Sequence, residues 1–289
     1  MPVDITTCRN ALDLLLKRGL EQDSYSASHL IRGFAASSSL DDAYHVFSIL
    51  PIPNIFAWSA IIDAHTKHGL PHKALSLFTH LHAYTDIRPD AHLFVVAIKA
   101  CSALLAKGLH KARSIHSQVV EYGYAGNTYI GSALIDMYVK CGHMVDAQHI
   151  FDFMPIKDCV TWNTLLVGYS NGSSEQVFGI FERMKKEGIS PDDVSFLTIL
   201  SVCCHLGLVD DGKKYYEEMR SKYGIDPTIK HKACIVELLC NVGQLDVAAE
   251  MAQEESNIVA WTSVLDACRA WGNLELGKES FHFAVRDKS

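Results

Sequence analysis

Between residues 159 and 192 the chain reads CVTWNTLLVGYSNGSSEQVFGIFERMKKEGISPD, and its apolar positions form two helical stripes separated by a polar break. Trp162, Leu165, Leu166 and Tyr169 recur at helical intervals in the first stripe, and Val177, Ile180, Phe181 and Met184 in the second. Asn171-Gly172-Ser173-Ser174 lies between them, and Gly188, Pro191 and Asp192 stop the second. The spacing predicts two antiparallel helices. A pair this short cannot bury both stripes alone and needs copies of itself on either side.

Copies run the length of the chain. A small residue at the start of each second helix recurs as Ala43, Ala74, Ala112, Ala147, Gly212, Ala248 and Gly277, with the larger Val177 as the exception. Their period of roughly 30 to 38 residues is that of two-helix solenoid arrays. Glycine recurs between the helices as Gly69, Gly142, Gly172, Gly207, Gly243 and Gly272, where a positive φ costs it little. Trp58, Trp162 and Trp261 hold the same place in every third unit, so the units are of three kinds. The expected boundaries are 24–54, 55–90, 91–127, 128–158, 159–192, 193–228 and 229–257, with a shortened pair over 258–289. Residues 4–23 read as a lone second helix, with Leu12, Leu15 and Leu16 on its apolar face and Gly19 as its stop. The fold expected is an all-α, right-handed superhelical solenoid without linkers. The uncovered face of the first helix predicts self-association.

About half of the 289 residues are hydrophobic, enough for a continuous core, and no run of 18 apolar residues suggests a membrane span. The start, MPVDITTCRNALDLLLKRG, has neither a signal-peptide h-region nor the Arg- and Ser-rich composition of a transit peptide, so the protein is expected either to be cytosolic or to have its targeting segment absent from this chain. The nine cysteines contain no CxxC pair, and Cys101, Cys203, Cys204, Cys240 and Cys268 fall near the ends of first helices, where a small apolar residue packs. They read as reduced core thiols. With no HExxH, and no HxE followed by paired cysteines, neither a zinc protease nor a zinc deaminase is expected, and no metal or cofactor. Gly207-Leu-Val-Asp-Asp-Gly212-Lys213-Lys214 nearly spells a phosphate-binding loop, but Lys214 stands where a hydroxyl is needed and a helix precedes it in place of a strand. No catalytic constellation emerges. The net charge of −7 counts against indiscriminate nucleic-acid binding but leaves room for a narrow basic groove.

Several motifs together carry a resemblance. VTWNTLLVGYS with GIFERMKKEGISPDDVSFLTIL, CCHLGLVDDGKKYYEEMRSKYGIDPTIKHKACIVELL, SALIDMYVKCGHMVDAQHIFDFMPIKD and AWTSVLDACRAWGNLELGK closely resemble the plant pentatricopeptide repeat family, in its subclass of alternating P, L and S repeats. On that resemblance 24–54, 128–158 and 229–257 are S repeats, 55–90 and 159–192 P repeats, and 91–127 and 193–228 L repeats. Residues from 258 look like the first half of the E extension of RNA-editing factors. No DYW deaminase domain follows in this chain.

The resemblance implies sequence-specific binding of single-stranded RNA in a mitochondrion or chloroplast, one base per repeat. The second and fifth residues of each first helix lie one turn apart on one face, and a unit's last residue sits just before a first helix. Three side chains can thus sandwich a base and read its edge. The family's pairing of fifth and last residues implies adenine for Ser28 with Asn54, guanine for Ser59 with Asp90 and for Ser132 with Asp158, and uracil for Asn163 with Asp192. Val95 with Asn127, Leu197 with Thr228 and Ala233 with Asn257 specify nothing, so the implied preference is A-G-N-G-U-N-N. Base-stacking positions would be Tyr25, Phe56, His92, Tyr129, Val160 and Val194, each otherwise a residue packed between repeats. Lys67 and Lys140 match a phosphate-contacting lysine, and are otherwise solvated charges.

The reading is a site-recognition factor for C-to-U editing, with a deaminase of the DYW type or other editing or splicing factors acting in trans, and with no membrane role. The alternatives are intron splicing or transcript stabilisation on the same fold, and a peptide-binding solenoid of the tetratricopeptide kind.

Overall fold

The computed structural model describes residues 5–17, 24–170, 172, 174–255 and 258–286. Among these residues it contains seventeen α-helices and no strand. The chain forms two compact units, one ending at Lys157 and the other starting at Asp158.

The first unit opens with α1 (Ile5–Lys17) and continues through the pairs α2 (Ser24–Ala36) with α3 (Leu40–Ser48), α4 (Ile55–Lys67) with α5 (Pro71–Tyr84), α6 (Ala91–Ala103) with α7 (Leu109–Glu121) and α8 (Thr128–Lys140) with α9 (Met144–Phe153). The second holds α10 (Cys159–Ser170) with α11 (Ser174–Lys186), α12 (Asp193–Leu206) with α13 (Val209–Ser221), α14 (Ile229–Asn241) with α15 (Leu245–Glu255) and α16 (Ile258–Trp271) with α17 (Leu274–Arg286). In each unit a first helix packs both on its own partner and on the next first helix, so α2, α4, α6 and α8 form one layer, as do α10, α12, α14 and α16. This is a helical-repeat solenoid, in which each pair is stable only because its neighbours cover it.

The buried layer follows the stripes. Trp58, Trp162 and Trp261, at the fourth place of their helices, are all buried, and Phe94 and Phe196 fill the same place in α6 and α12. At that place in α8 stands Gly131, where an added Cβ would come within 2.7 Å of Met154 Sδ, so a methionine from the end of the same repeat occupies the volume an aromatic ring takes elsewhere. Ala43, Ala74, Ala112, Ala147 and Ala248 are fully buried, and so is the larger Val177. Gly212 shows why small residues are needed here. A Cβ at this position would collide with the Leu238 side chain of the next repeat.

Successive second helices are tied by a repeated ion pair. Arg113 of α7 meets Asp146 of α9 at 3.1 Å, and Lys185 of α11 meets Glu218 of α13 at 3.2 Å. Arg9, the fifth residue of α1, meets Asp42 of α3 at 3.0 Å just as Arg113, the fifth residue of α7, meets Asp146. α1 therefore occupies the place of a second helix. The exposed pairs Arg9–Asp42 and Arg113–Asp146 add only about 0–1 kcal/mol each, so they set register more than stability, whereas Lys185 and Glu218 are largely buried. α1 leaves Leu14 and Leu16 exposed. Gly19 and residues 18–23 lie outside the described residues, as do Asn171, Ser173 and Asn257.

Gly69, Gly142, Gly207, Gly243 and Gly272 all take a positive φ. At Gly207 (φ 67°, ψ 26°) this lets the Leu208 N–H turn back to the Cys203 carbonyl at 2.9 Å and close the end of α12. Two repeats without such a glycine use other residues: Ser38 (φ 59°) after α2, and Leu105 (φ 53°), where a 3-10 turn over Leu105–Gly108 leads into α7. All nine cysteines are free thiols. Burial pushes Cys101, Cys203, Cys204 and Cys240 up to about 12.

Candidate nucleic-acid interface

The second residue of every first helix faces outward. Tyr25, Phe56, His92, Tyr129, Val160 and Val194 are all exposed, Tyr129 to 82%. The fifth residues form the floor beneath them: Ser59 is 2% exposed, Ser28 3% and Asn163 7%, while Val95 and Ser132 are half-buried. One helical turn separates the two places, so α2, α4 and α10 each offer an apolar or aromatic rim over a buried polar atom. The packed alternative for the rim residues does not hold in this structure.

The last residue of the repeats 24–54, 55–90, 91–127, 128–158 and 159–192 turns out to be the N-cap of the next first helix. Asn54 Oδ1 accepts from Ala57 N at 3.0 Å, Asp90 Oδ1 from Leu93 N at 2.8 Å and Asn127 Oδ1 from Ile130 N at 3.1 Å. Asp158 Oδ1 accepts from both Thr161 N (2.8 Å) and Thr161 Oγ1 (2.6 Å), and Asp192 Oδ1 from Ser195 N at 2.9 Å. Capping satisfies a backbone N–H that the helix itself leaves open and is worth about 1 kcal/mol. It also fixes which atom remains. An asparagine cap keeps its Nδ2 donor and an aspartate cap its second oxygen, an acceptor.

Asn163, Asp192 and Ser195 form the densest polar cluster. Asn163 Nδ2 donates to Asp192 Oδ1 at 2.9 Å, and Ser195 Oγ donates to Asn163 Oδ1 at 2.6 Å. Asp192 N donates back to Ser195 Oγ at 3.2 Å, and the Cys159 thiol lies 3.7 Å from Asn163 Nδ2. Burial alone would raise the Asp192 carboxyl, but the Ser195 N–H, the Asn163 amide, the Cys159 thiol and the Ser195 hydroxyl outweigh it and hold the group below the usual carboxylate range. It is therefore an anion, and an acceptor only.

Ser59, Lys67 and His92, taken from the sequence as reading, phosphate and stacking residues, line one groove of about 400 Å³ between α2 and α4. Neither lysine is solitary. Lys67 pairs with Asp63 at 2.6 Å and Lys140 with Asp136 at 2.7 Å, both one turn earlier on the same helix. The groove also holds Arg32, which sequence reasoning missed. The signal was its ninth place in the first helix, shared with Asp63, Lys99 and Asp136. The corresponding groove between α14 and α16 presents Glu237 and Asp266 beside Asn241 and Ser263, so it is acidic where the other is mixed.

Elsewhere the pieces stay apart or are occupied. Ser28 Oγ donates to the Tyr25 carbonyl at 2.7 Å, and Ser132 Oγ to the Thr128 carbonyl at 2.9 Å. Leu197 is half-buried and Thr228 caps α14 with His231, whose ring bonds Thr228 Oγ1 at 2.7 Å and the Asp193 carbonyl at 2.8 Å. Among the described residues no group of three or more His, Cys, Asp or Glu could hold a metal ion, and no helix is long and apolar enough to cross a membrane.

Fold and surface together define a helical-repeat protein whose first helices form a layer in each of the two units. Residues 157–205 match the PPR repeat family, and residues 56–82, 132–159 and 194–223 match the PPR repeat. The chain is a pentatricopeptide repeat protein. It is 35% identical over 282 residues to the chloroplastic pentatricopeptide repeat-containing protein CRR2 of Arabidopsis thaliana, covering 95% of this chain and 43% of that one. A mitochondrial pentatricopeptide repeat-containing protein of the same plant is 34% identical over 268 residues, covering 91% and 42%. The chain thus spans about two fifths of the length of these relatives. Its fold is that of the maize pentatricopeptide repeat protein PPR10, with a TM-score of 0.77, 17% identity and coverage of 96% of this chain and 40% of that one. PPR10 in complex with an 18-nucleotide psaJ RNA element matches with a TM-score of 0.79 at 14% identity, covering 97% and 42%.

Proposed function

We propose that this chain binds single-stranded RNA in a plant organelle, one nucleotide per repeat, as the site-recognition part of C-to-U editing with the deaminase acting in trans. The observation that carries the proposal is the recurrence of an exposed second residue, with a buried polar fifth residue at Ser28, Ser59 and Asn163 and a capping last residue with one edge atom to spare at Asn54, Asp90 and Asp192. A peptide groove has no use for that recurrence. The complex of PPR10 with RNA supports a nucleic-acid ligand, and the chloroplastic and mitochondrial relatives support an organelle.

The caps explain the specificity. An aspartate cap offers an acceptor, which suits the N1–H of guanine or the N3–H of uracil; an asparagine cap offers a donor, which suits N1 of adenine or N3 of cytosine. The fifth residue decides size: Ser28, Ser59 and Ser132 leave room for a purine, and Asn163 for a pyrimidine. The order is then A-G-N-G-U-N-N. Lys67 and Lys140 would exchange their exposed partners Asp63 and Asp136 for phosphate at little cost. The helices from 258 onward, similar to an E extension, favour editing over splicing or stabilisation.

The test is a fluorescence titration of short RNAs carrying A-G-N-G-U-N-N and its variants at the fifth base, at fixed salt. Asn163→Thr should move preference at that base toward guanine by about 1–3 kcal/mol. Lys140→Ala should weaken all sequences alike and flatten the salt dependence. Equal binding to all four bases by the wild type would end the assignment at this repeat, and no RNA binding by folded protein would favour the peptide-binding solenoid.

A further inference from the structure

We infer that Ser195, the third residue of the following first helix, positions the pair Asn163 and Asp192, so that one nucleotide is read by side chains of two successive repeats. The inference rests on the reading of that pair proposed above. Asn163 could in principle turn either end of its carboxamide to a base. Asp192 fixes one end, because a carboxylate can only accept and so must face Nδ2. Ser195 fixes the other. Its single hydroxyl hydrogen has three acceptors in reach, Asn163 Oδ1 at 2.6 Å, Asp192 Oδ1 at 3.0 Å and Met184 Sδ at 3.9 Å, and the shortest contact holds it.

Ser195 is fully buried, so water cannot take over its role if the hydroxyl is lost. Held at both ends, the carboxamide keeps its donors for Asp192 and Cys159 and presents no N–H to a base. The edge left for the nucleotide consists of acceptors, chiefly Asp192 Oδ2, since the contacts from Asn163 Nδ2, Ser195 N and Ser195 Oγ all end on Oδ1. Without the Ser195 hydroxyl the amide is held at one end only, so one N–H can swing from Cys159 toward the N3 of cytosine while the other stays on Asp192, and the distinction from uracil fades.

The device is not shared by every repeat. At the third place of α4, α6 and α8 stand Ala57, Leu93 and Ile130, which contribute only a backbone N–H to the cap. At the third place of α10, α12 and α14 stand Thr161, Ser195 and His231, whose side chains lie 2.6, 3.0 and 2.7 Å from the capping side chain.

The experiment titrates wild type, Ser195→Ala and Ser195→Thr with four RNAs, A-G-N-G-X-N-N with X as U, C, A or G, at several salt concentrations. Wild type should prefer U over C by about tenfold or more. Ser195→Ala should shrink that ratio to about threefold or less, because the amide loses its one fixed acceptor contact, with the salt slope unchanged. Ser195→Thr should keep the wild-type order, since Thr161 shows that a threonine fits this fully buried place and bonds the cap. Circular dichroism confirms that both variants fold, and Ser195→Cys, similar in size but a weak donor, repeats the test should the alanine variant unfold. A Ser195→Ala protein that reads U as sharply as wild type overturns the inference and leaves the reading of Asn163 and Asp192 standing. Loss of discrimination in Ser195→Thr as well would assign the effect to shape and also overturn it. A wild type indifferent to the base overturns both.

Discussion

Asp192 is the residue on which stability and specificity can be separated by experiment, because its two oxygens have different tasks. Oδ1 caps α12 through Ser195 N at 2.9 Å and holds the Asn163 amide at 2.9 Å. Asp192→Ala removes the cap, about 1 kcal/mol, and strands the Nδ2 of an Asn163 that is only 7% exposed, a further 1–3 kcal/mol or so. The expected loss is about 2–4 kcal/mol, a large share of the stability of a domain. Asp192→Asn keeps an oxygen in the Oδ1 place and caps as well as aspartate does, so its loss should stay below about 1 kcal/mol. It replaces Oδ2 by an NH₂ group. The preferred base at this nucleotide should therefore change from uracil to cytosine, by about 1–3 kcal/mol. Urea unfolding followed by circular dichroism gives the first quantity and titration with the U and C forms of the RNA the second. If Asp192→Asn is as unstable as Asp192→Ala, the charge and not the capping oxygen holds the cluster. If it is stable and still prefers uracil, Oδ2 does not face the base.

Other outcomes follow from the same geometry. Asp42, Asp192 and Glu218 titrate below the usual carboxylate range in the folded chain, so the stability they contribute is present above their unfolded values and is lost as pH falls through the lowered folded ones; burial lowers His65 and His116 as well, which removes stability as pH falls through the unfolded histidine value, so stability measured by urea unfolding should decline from about pH 6.5 and fall further below about pH 4. Gly212→Val should destabilise the chain by about 1–3 kcal/mol in urea unfolding, since even a Cβ there meets Leu238. Asp63→Ala frees Lys67 and should tighten RNA binding by about 0.2–1 kcal/mol with a steeper salt dependence, read by titration. A thiol reagent at pH 8 should reach the partly exposed Cys159 and Cys234 well before Cys101, Cys203 and Cys240, as mass spectrometry of the modified peptides would show.

The sequence by itself determined the helix pairs and their stacking. An apolar stripe at helical period, a small residue where helices approach and a glycine where the chain turns back are local requirements, and each is written in the residues that meet it, as Trp162, Ala147 and Gly207 do. It also named the side chains that face along the layer, because places two and five of a helix share a face whatever packs behind them. What those side chains do to one another was not legible. That Asp192 is a cap with one oxygen already engaged depends on where the backbone of the next helix starts. That Asn163 has its acceptor oxygen occupied depends on a serine 32 residues further on. Lys67 and Lys140 looked like isolated charges, yet each meets an aspartate one turn back, and Arg32 shares a groove with Ser59 only because α2 and α4 pack side by side. Periodicity encodes which face of a helix is buried, but the hydrogen-bond partners of a polar atom are set by angles and distances between elements, and only the packed repeats fix those.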